Sequence, residues 1–156
     1  MVAEASKRTK ILILVGFVPV AGIFVWGAMR APLDPGEALE TCMTPYFDAV
    51  DAERYDEAWE RHTTAGYRRA HAKGEFRAAL ETHRRERGRI VSRGERIENG
   101  FANVDGRSGF HFRYWFGFER GDPVNVVYTV VHQDDGTWRI DGALESIGRA
   151  GRPGPW

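Results

Sequence analysis

Residues 110–118 read FHFRYWFGF, and this stretch decides the fold. Aromatic side chains occupy every second position: Phe110, Phe112, Tyr114, Phe116 and Phe118. Because successive side chains of a strand point to opposite faces, this period of two predicts a strand with one apolar face. Trp115 points to the opposite face, which indicates that both faces of the strand are partly covered.

The segments on either side of this stretch predict its neighbours in an antiparallel sheet. Residues 121–123, Gly-Asp-Pro, form a turn signal before 124–132, which is rich in β-branched residues. Asp135-Gly136 is a hairpin signal before the last strand, 138–147. Upstream, 89–98 is predicted to be the first strand of the sheet.

The first helix is predicted from Pro35 onward, with Asp34 as its N-cap. Its apolar residues recur at steps of three and four: Leu39, Cys42, Met43, Tyr46, Phe47 and Val50. This spacing predicts about four turns with one apolar face. Because proline disrupts helix interiors, Pro45 either kinks this helix or marks its start.

Two more helices are predicted before the sheet. The second is short, has its apolar residues at Tyr55, Ala58 and Trp59, and is closed by Gly66. The third has an apolar side made of Phe76, Ala79, Leu80 and His83. Gly88 follows it at the position where glycine commonly ends a helix.

Helices followed by strands predict an α+β domain over residues 37–147. Three helices pack on one face of an antiparallel sheet of about four strands. Residues 99–109 depart from the strand pattern and are predicted to be a long hairpin loop. Residues 30–36 form a linker, and 148–156 form a disordered tail.

Residues 11–29, ILILVGFVPVAGIFVWGAM, carry no charged side chain and predict a transmembrane helix. As a helix they would span about 28 Å, close to the hydrocarbon thickness of a bilayer. The basic stretch 1–10 precedes the span, so the positive-inside rule places the N-terminus in the cytoplasm. The alternative, a cleaved signal peptide, is disfavoured because small residues in the required arrangement are lacking.

Charge and cysteine content exclude several classes of protein. The chain has a formal net charge of zero, whereas nucleic-acid binders usually carry a basic excess, so no nucleic-acid partner is predicted. Its one cysteine, Cys42, excludes an intramolecular disulfide. Cys42 is either a buried apolar residue or an exposed thiol that links two chains.

Charge is also distributed unevenly along the chain. Residues 33–60 are acidic, and residues 61–96 are basic. One interpretation is that the acidic and basic helices lie close together and attract each other. The other interpretation is a basic patch that faces an anionic lipid or polymer.

Several short motifs together resemble nuclear-transport-factor-2-like domains, and more narrowly an uncharacterised bacterial group of secreted or membrane-tethered domains. The motifs are 47–51, FDAVD; Tyr55, Ala58 and Trp59; Phe76 and Leu80; Gly88 and Arg93; and 135–142, DGTWRIDG. The resemblance covers 38–147. It implies a curved sheet around a long helix with a cone-shaped cavity, and it implies no particular activity.

Motifs for metal, nucleophilic or phosphate chemistry are absent from the sequence, so no metal and no cofactor are predicted. For acid–base chemistry the candidate is Asp141, since a carboxylate in an apolar cone can act as a proton shuttle. The alternative is that Asp141 pairs with Arg113 or Arg139, or faces solvent. The predicted pocket residues are Tyr46, Trp59, Arg113, Trp115 and Tyr128. For Trp59 and Trp115 the alternative is a place in the core.

Two functions follow from these features. The first is a binding or interaction module held by 11–29 at the inner membrane of a bacterium, with its domain outside the cytoplasm. Its predicted partners are the lipid bilayer and either a small-molecule ligand or a second copy of the chain through the exposed sheet face. The second is a small acid–base enzyme, an isomerase or hydrolase, that uses Asp141.

Overall fold

The structure, a computed structural model, describes residues 33–147 and 150–153. From Asp34 onward, the described residues form one compact unit that contains all the described helices and strands. The predicted transmembrane helix, 11–29, and the basic stretch before it lie outside the described residues. Within the described part of the chain, none of the helices has the length and hydropathy needed to cross a membrane.

The first helix, α1, is continuous and consists of three segments. These are Pro35–Ala38, a π-helical turn at Leu39–Met43, and Thr44–Asp51. Asp34 caps its N-terminus, because its Oδ1 accepts a hydrogen bond of 2.8 Å from the Gly36 N–H. The π turn lies directly before Pro45, where its wider backbone accommodates the proline ring. The helix therefore does not start at Pro45.

Three more helices follow: α2 at Tyr55–His62, α3 at Ala65–Ala70 and α4 at Lys73–Arg87. The sequence predicts three helices between the linker and the sheet, and α3 is additional to them. Gly66 lies in its first turn rather than closing the preceding unit. Thr64 begins α3, since its hydroxyl accepts a hydrogen bond of 3.0 Å from the Tyr67 N–H. Gly88 ends α4 with φ +80, as predicted.

The five strands form one antiparallel sheet in chain order. They are β1 at Ile90–Val104, β2 at Arg107–Phe118, β3 at Val124–His132, β4 at Trp138–Ile147 and β5 at Ala150–Pro153. The sheet has one strand more than predicted, because β5 pairs with β4 inside the tail for which the sequence predicts disorder. The α+β class is confirmed.

The long loop predicted over 99–109 is wrong. β1 continues to Val104 and β2 begins at Arg107, with a tight turn at Asp105-Gly106 between them. Both turn residues have positive φ, 50 and 78, which is the conformation of a two-residue hairpin turn. The register shifts between Glu98 and Phe101, and this bulge interrupts the alternation that identifies a strand in the sequence.

The core lies between the helices and one face of the sheet. On β2 the predicted apolar face is buried: Phe110, Phe112, Tyr114, Phe116 and Phe118. Phe47 of α1 packs edge-on against Tyr114 and Tyr128, with ring centroids 4.8 and 5.6 Å apart. At Gly109 a Cβ would lie 2.0 Å from the carbonyl oxygen of Val130, so the sheet has no room for a side chain there.

Ion pairs join the acidic and basic segments of the chain. Lys73 Nζ lies 2.9 Å from Glu60 Oε1 and 3.6 Å from Asp56 Oδ2, which connects α4 to α2. Arg77 Nη1 lies 3.8 Å from Asp56 Oδ1. These contacts favour the interpretation that the two segments attract each other, although the acids at this contact come from α2 rather than from α1.

Candidate functional site

A cleft of roughly 520 Å³, including its open mouth, lies between the helices and the sheet. The helices contribute Tyr46, Phe47, Val50, Asp51, Tyr55, Leu80, His83 and Arg84. The sheet and the α4–β1 connection contribute Gly88, Ile90, Phe116, Phe118 and Tyr128. Most of this lining is aromatic or aliphatic, with a few polar groups among it, which is the usual composition of a ligand site.

Helical and strand periodicity bring these side chains together. Phe47, Val50 and Asp51 are spaced three and four residues apart, so they share one side of α1. Leu80, His83 and Arg84 have the same spacing on α4. From the sheet, Phe116 and Phe118 point toward both helices because they lie two residues apart on the inner face of β2.

Aromatic rings fill the inner end of the cleft. Tyr46 and Tyr128 line the cleft there and are almost completely buried. Phe47 touches both rings and the ring of the buried Tyr114 at centroid distances of 4.8 to 5.6 Å. The volume of roughly 520 Å³ includes open solvent, and the enclosed part of the cleft is small. The structure therefore has a shallow apolar cleft where the resemblance implies a cone-shaped cavity.

The tyrosines at the inner end keep their protons. Burial raises the pKa of Tyr46 and of Tyr128 well above the usual 10. Burial also raises the pKa of Tyr114, whose hydroxyl donates a hydrogen bond of 3.1 Å to Glu95 Oε2. The phenol groups are thus hydrogen-bond donors over the physiological pH range.

His83 forms part of the cleft wall as a neutral imidazole. Burial, and to a smaller extent the positive charge of Arg87, lowers the pKa of His83 to about 4. Its ring packs against Phe118 with a centroid distance of 4.6 Å. At neutral pH this side chain therefore adds hydrogen-bonding capacity to the cleft without adding charge.

Two ion pairs border the mouth of the cleft. Asp51 Oδ2 lies 2.9 Å from Arg93 Nη2, and this pair joins α1 to β1. Glu53 Oε1 lies 2.8 Å from Arg84 Nη2, and this pair joins the turn after α1 to α4. We call these four residues the paired rim. The Arg93 guanidinium also lies over the ring of Phe47, 4.1 Å from its centroid.

Two of the five predicted pocket residues, Tyr46 and Tyr128, line the cleft. Trp59 lies outside it and is held by α3 and α4. Its Nε1 donates a hydrogen bond of 2.9 Å to the carbonyl of His71, and the cations of Arg68 and Lys73 lie 5.7 and 6.0 Å from its ring. These contacts give Trp59 a packing role between helices.

The other two, Arg113 and Trp115, lie on the outer face of the sheet. In the register of β2 and β3, Arg113 is opposite Val127 and Trp115 is opposite Asn125. Trp115 is 39% exposed, whereas its neighbours Tyr114 and Phe116 are buried on the inner face. The sheet therefore separates these two residues from the cleft.

Asp141 also lies outside the cleft, next to the start of α3. The Thr64 hydroxyl donates a hydrogen bond to Asp141 Oδ1 and accepts one from the Tyr67 N–H. Arg139, one of the two predicted partners, instead donates to the carbonyl of Arg61 at 2.7 Å. The structure thus places the candidate acid in a helix-capping arrangement with Thr64.

Cys42 is fully buried, which confirms the first of its two interpretations. Its Sγ lies 3.8 Å from the carbonyl oxygen of His62. Burial raises the pKa of the thiol to about 12, so it stays protonated and unreactive at neutral pH.

Sequence reasoning did not predict the paired rim. The sequence places His83 on the apolar side of the third predicted helix, and the structure places it in the cleft wall. The spacing of Leu80, His83 and Arg84 on one helix face was the available signal. The sequence does not predict the ion pair between Asp51 and Arg93, because these residues are 42 positions apart in the chain.

No protein-family model, curated protein or solved structure matches this chain. The likeness to nuclear-transport-factor-2-like domains therefore stays a prediction from sequence. Within the described residues, no group of three or more histidine, cysteine or acidic side chains could hold a metal ion.

Proposed function

We propose that this chain is a membrane-anchored binding module whose domain lies outside the cytoplasm and holds the apolar part of a small molecule in the cleft. The observation that carries the proposal is the composition of the cleft. An aromatic and aliphatic lining borders a cleft of roughly 520 Å³, open solvent included, and His83, Asp51 and Arg84 supply polar groups at defined places.

The depth of the cleft supports binding rather than catalysis. Enzymes usually enclose the reacting atoms and exclude water from them. Here the enclosed space is small, so most of a ligand would remain near the mouth, in contact with solvent. The contact of Asp141 with Thr64 supports a structural role for the carboxylate on which the acid–base hypothesis depends.

The membrane location rests on the sequence of residues 11–29. These nineteen residues lack charge, and their Leu, Ile, Phe and Val side chains favour insertion by roughly 3–7 kcal/mol in total. Lys7, Arg8 and Lys10 on the N-terminal side favour a cytoplasmic N-terminus. We expect a full-length chain with a C-terminal tag to stay with membranes through an alkaline carbonate wash. Recovery of the tag in the soluble fraction would contradict the anchor.

The binding function is tested by filling the cleft. Val50 lines the cleft and is half-buried, so Val50→Trp should place an indole in the ligand's space. Val91 is 63% exposed and does not line the cleft, so Val91→Trp is the matched control. The three full-length proteins are purified from the native host in lipid nanodiscs, and released small molecules are identified by mass spectrometry.

We expect a small molecule that accompanies the wild type and Val91→Trp and is missing from Val50→Trp. Identical small-molecule profiles in the three preparations would contradict the proposal. Circular dichroism of each variant confirms that the loss does not come from unfolding.

A further inference from the structure

The charges at the mouth of the cleft are already neutralised by the protein. Asp51 and Arg84 are the charged residues that line the cleft within the described part of the chain, and each has an ion-pair partner at 2.8 to 2.9 Å. The partners, Arg93 and Glu53, come from different elements. A charged ligand would therefore have to displace one of these partners before it gained an ionic contact.

The aromatic floor of the cleft also has its own cation. The Arg93 guanidinium lies 4.1 Å from the ring centroid of Phe47 and 5.8 Å from that of Phe116. These rings would otherwise be suitable partners for a cationic ligand. His83 adds no charge to the wall at neutral pH, because burial lowers its pKa to about 4.

The two acids of the paired rim occupy unfavourable positions for the stability of α1. Asp51 is the last residue of α1, where the helix dipole disfavours negative charge. Glu53 follows with φ +60, a left-handed conformation that usually selects glycine. The Glu53 and Arg54 N–H groups donate to the carbonyls of Val50 and Ala49, which completes the helix-ending motif around this strained residue.

We infer that the part of the ligand that enters the cleft is an uncharged apolar group, selected because the paired rim neutralises the mouth. This inference rests on the proposed binding function. It assigns the acids of the rim a role that the helix itself does not require, namely to balance Arg84 and Arg93 so that neither anions nor cations are favoured.

The test uses three probes with the same ring and different charges: benzyl alcohol, benzoate and benzylammonium. Each is titrated into the full-length chain in lipid nanodiscs, and the methyl NMR signals of valine and leucine are followed. Val50 and Leu80 line the cleft, whereas Val91 and Leu144 are 63% and 48% exposed and report on the remaining surface. Nanodiscs that lack the protein correct for partition of each probe into lipid.

We expect benzyl alcohol to shift the Val50 and Leu80 signals at concentrations on the order of tenfold lower than either ion, since a charge must be desolvated to enter. Equal or stronger binding of an ion at these methyls would overturn the inference and leave the cleft as a binding site. If no probe shifts Val50 or Leu80, or if only Val91 and Leu144 respond, both the inference and the proposed site are overturned.

Two variants change the net charge of the paired rim in opposite directions. Glu53→Gly removes the partner of Arg84 and also relieves the left-handed strain, so it should fold well. Arg84→Gln leaves Glu53 unpaired. We expect the affinity of benzoate relative to benzyl alcohol to rise about two- to fivefold in the first variant, and that of benzylammonium in the second. Unchanged affinity ratios in both variants would overturn the inference.

Discussion

Asp141 and the pair Asp51 and Glu53 are carboxylates at different helix ends in this domain, and their surroundings differ. Asp141 lies beside the N-terminus of α3, where Thr64 connects it to the first turn and the helix dipole favours negative charge. Asp51 and Glu53 lie at the C-terminal end of α1, where the dipole disfavours them and Glu53 has positive φ.

This difference distinguishes residues that the fold requires from residues that it only tolerates. The contacts of Asp141 satisfy helix capping, so its presence is explained by stability alone. The positions of Asp51 and Glu53 break two local preferences at once, and such violations in natural proteins concentrate at functional sites. The comparison therefore directs attention to the mouth of the cleft rather than to Asp141.

Among the substitutions proposed here, Thr64→Val is expected to lower the free energy of unfolding most. Thr64 is 1% exposed, and valine keeps its shape but removes the hydroxyl that caps α3 and contacts Asp141. The free energy of unfolding should fall by about 2 kcal/mol, measured by urea denaturation.

A double-mutant cycle with Asp141→Asn measures the coupling between Thr64 and Asp141. If Thr64 and Asp141 act as one capping unit, the two losses should be less than additive by roughly 1 kcal/mol. A loss below about 0.5 kcal/mol for Thr64→Val would show that the capping unit does not stabilise the fold.

An intermediate effect is expected from His83, which should make the free energy of unfolding depend on pH. Above its usual pKa of 6.5 the side chain is neutral in the folded and unfolded chain, so it adds no pH dependence. Between pH 6.5 and about 4 only the unfolded chain takes up a proton, so the free energy of unfolding falls as the pH falls. His83→Gln should flatten this slope in urea denaturation over the same range.

The control for this experiment is His62→Gln. Burial also lowers the pKa of His62, which lies in α2 and does not line the cleft. The change that His62→Gln causes in the slope of the free energy of unfolding against pH is the contribution of a histidine outside the cleft. A wild-type slope in His83→Gln would contradict a neutral His83 in the cleft wall.

The smallest effect is expected at Glu53, from two substitutions that separate strain from charge. Glu53→Gly and Glu53→Ala both remove the exposed contact with Arg84, but only glycine adopts positive φ without strain. The glycine variant should be more stable than the alanine variant by about 1 kcal/mol in urea denaturation. Equal stabilities would mean that the backbone at Glu53 is relaxed and that the contrast with Asp141 is weaker than we infer.

Regular patterns in the sequence predicted most of the sheet. The alternation from Phe110 to Phe118 gave β2 and its buried face, and the Asp135-Gly136 signal gave the turn between β3 and β4. The turn at Asp105-Gly106 was missed because a bulge between Glu98 and Phe101 breaks the alternation before it. The sequence does not predict α3, because Gly66, which lies in the first turn of this helix, resembles the end of the preceding helix.

The candidate site was predicted only in part. Tyr46 and Tyr128 were expected in a pocket and line the cleft, since large aromatic residues on inner faces are brought together by the fold. The sequence also predicts Trp59, Arg113, Trp115 and Asp141 at the pocket, and they lie outside the cleft. The sequence does not show which face of the sheet, or which end of a helix, a residue meets.

The sequence by itself determined the periodic features of this protein: helix faces that recur at three and four residues, strands that alternate, and an uncharged stretch at 11–29. These depend on neighbours along the chain, and local geometry is sufficient to define them. Only the tertiary structure decided that Asp51 meets Arg93 and that Glu53 meets Arg84. Such pairs depend on how α1, α4 and β1 are packed, and packing brings together residues that no local pattern connects.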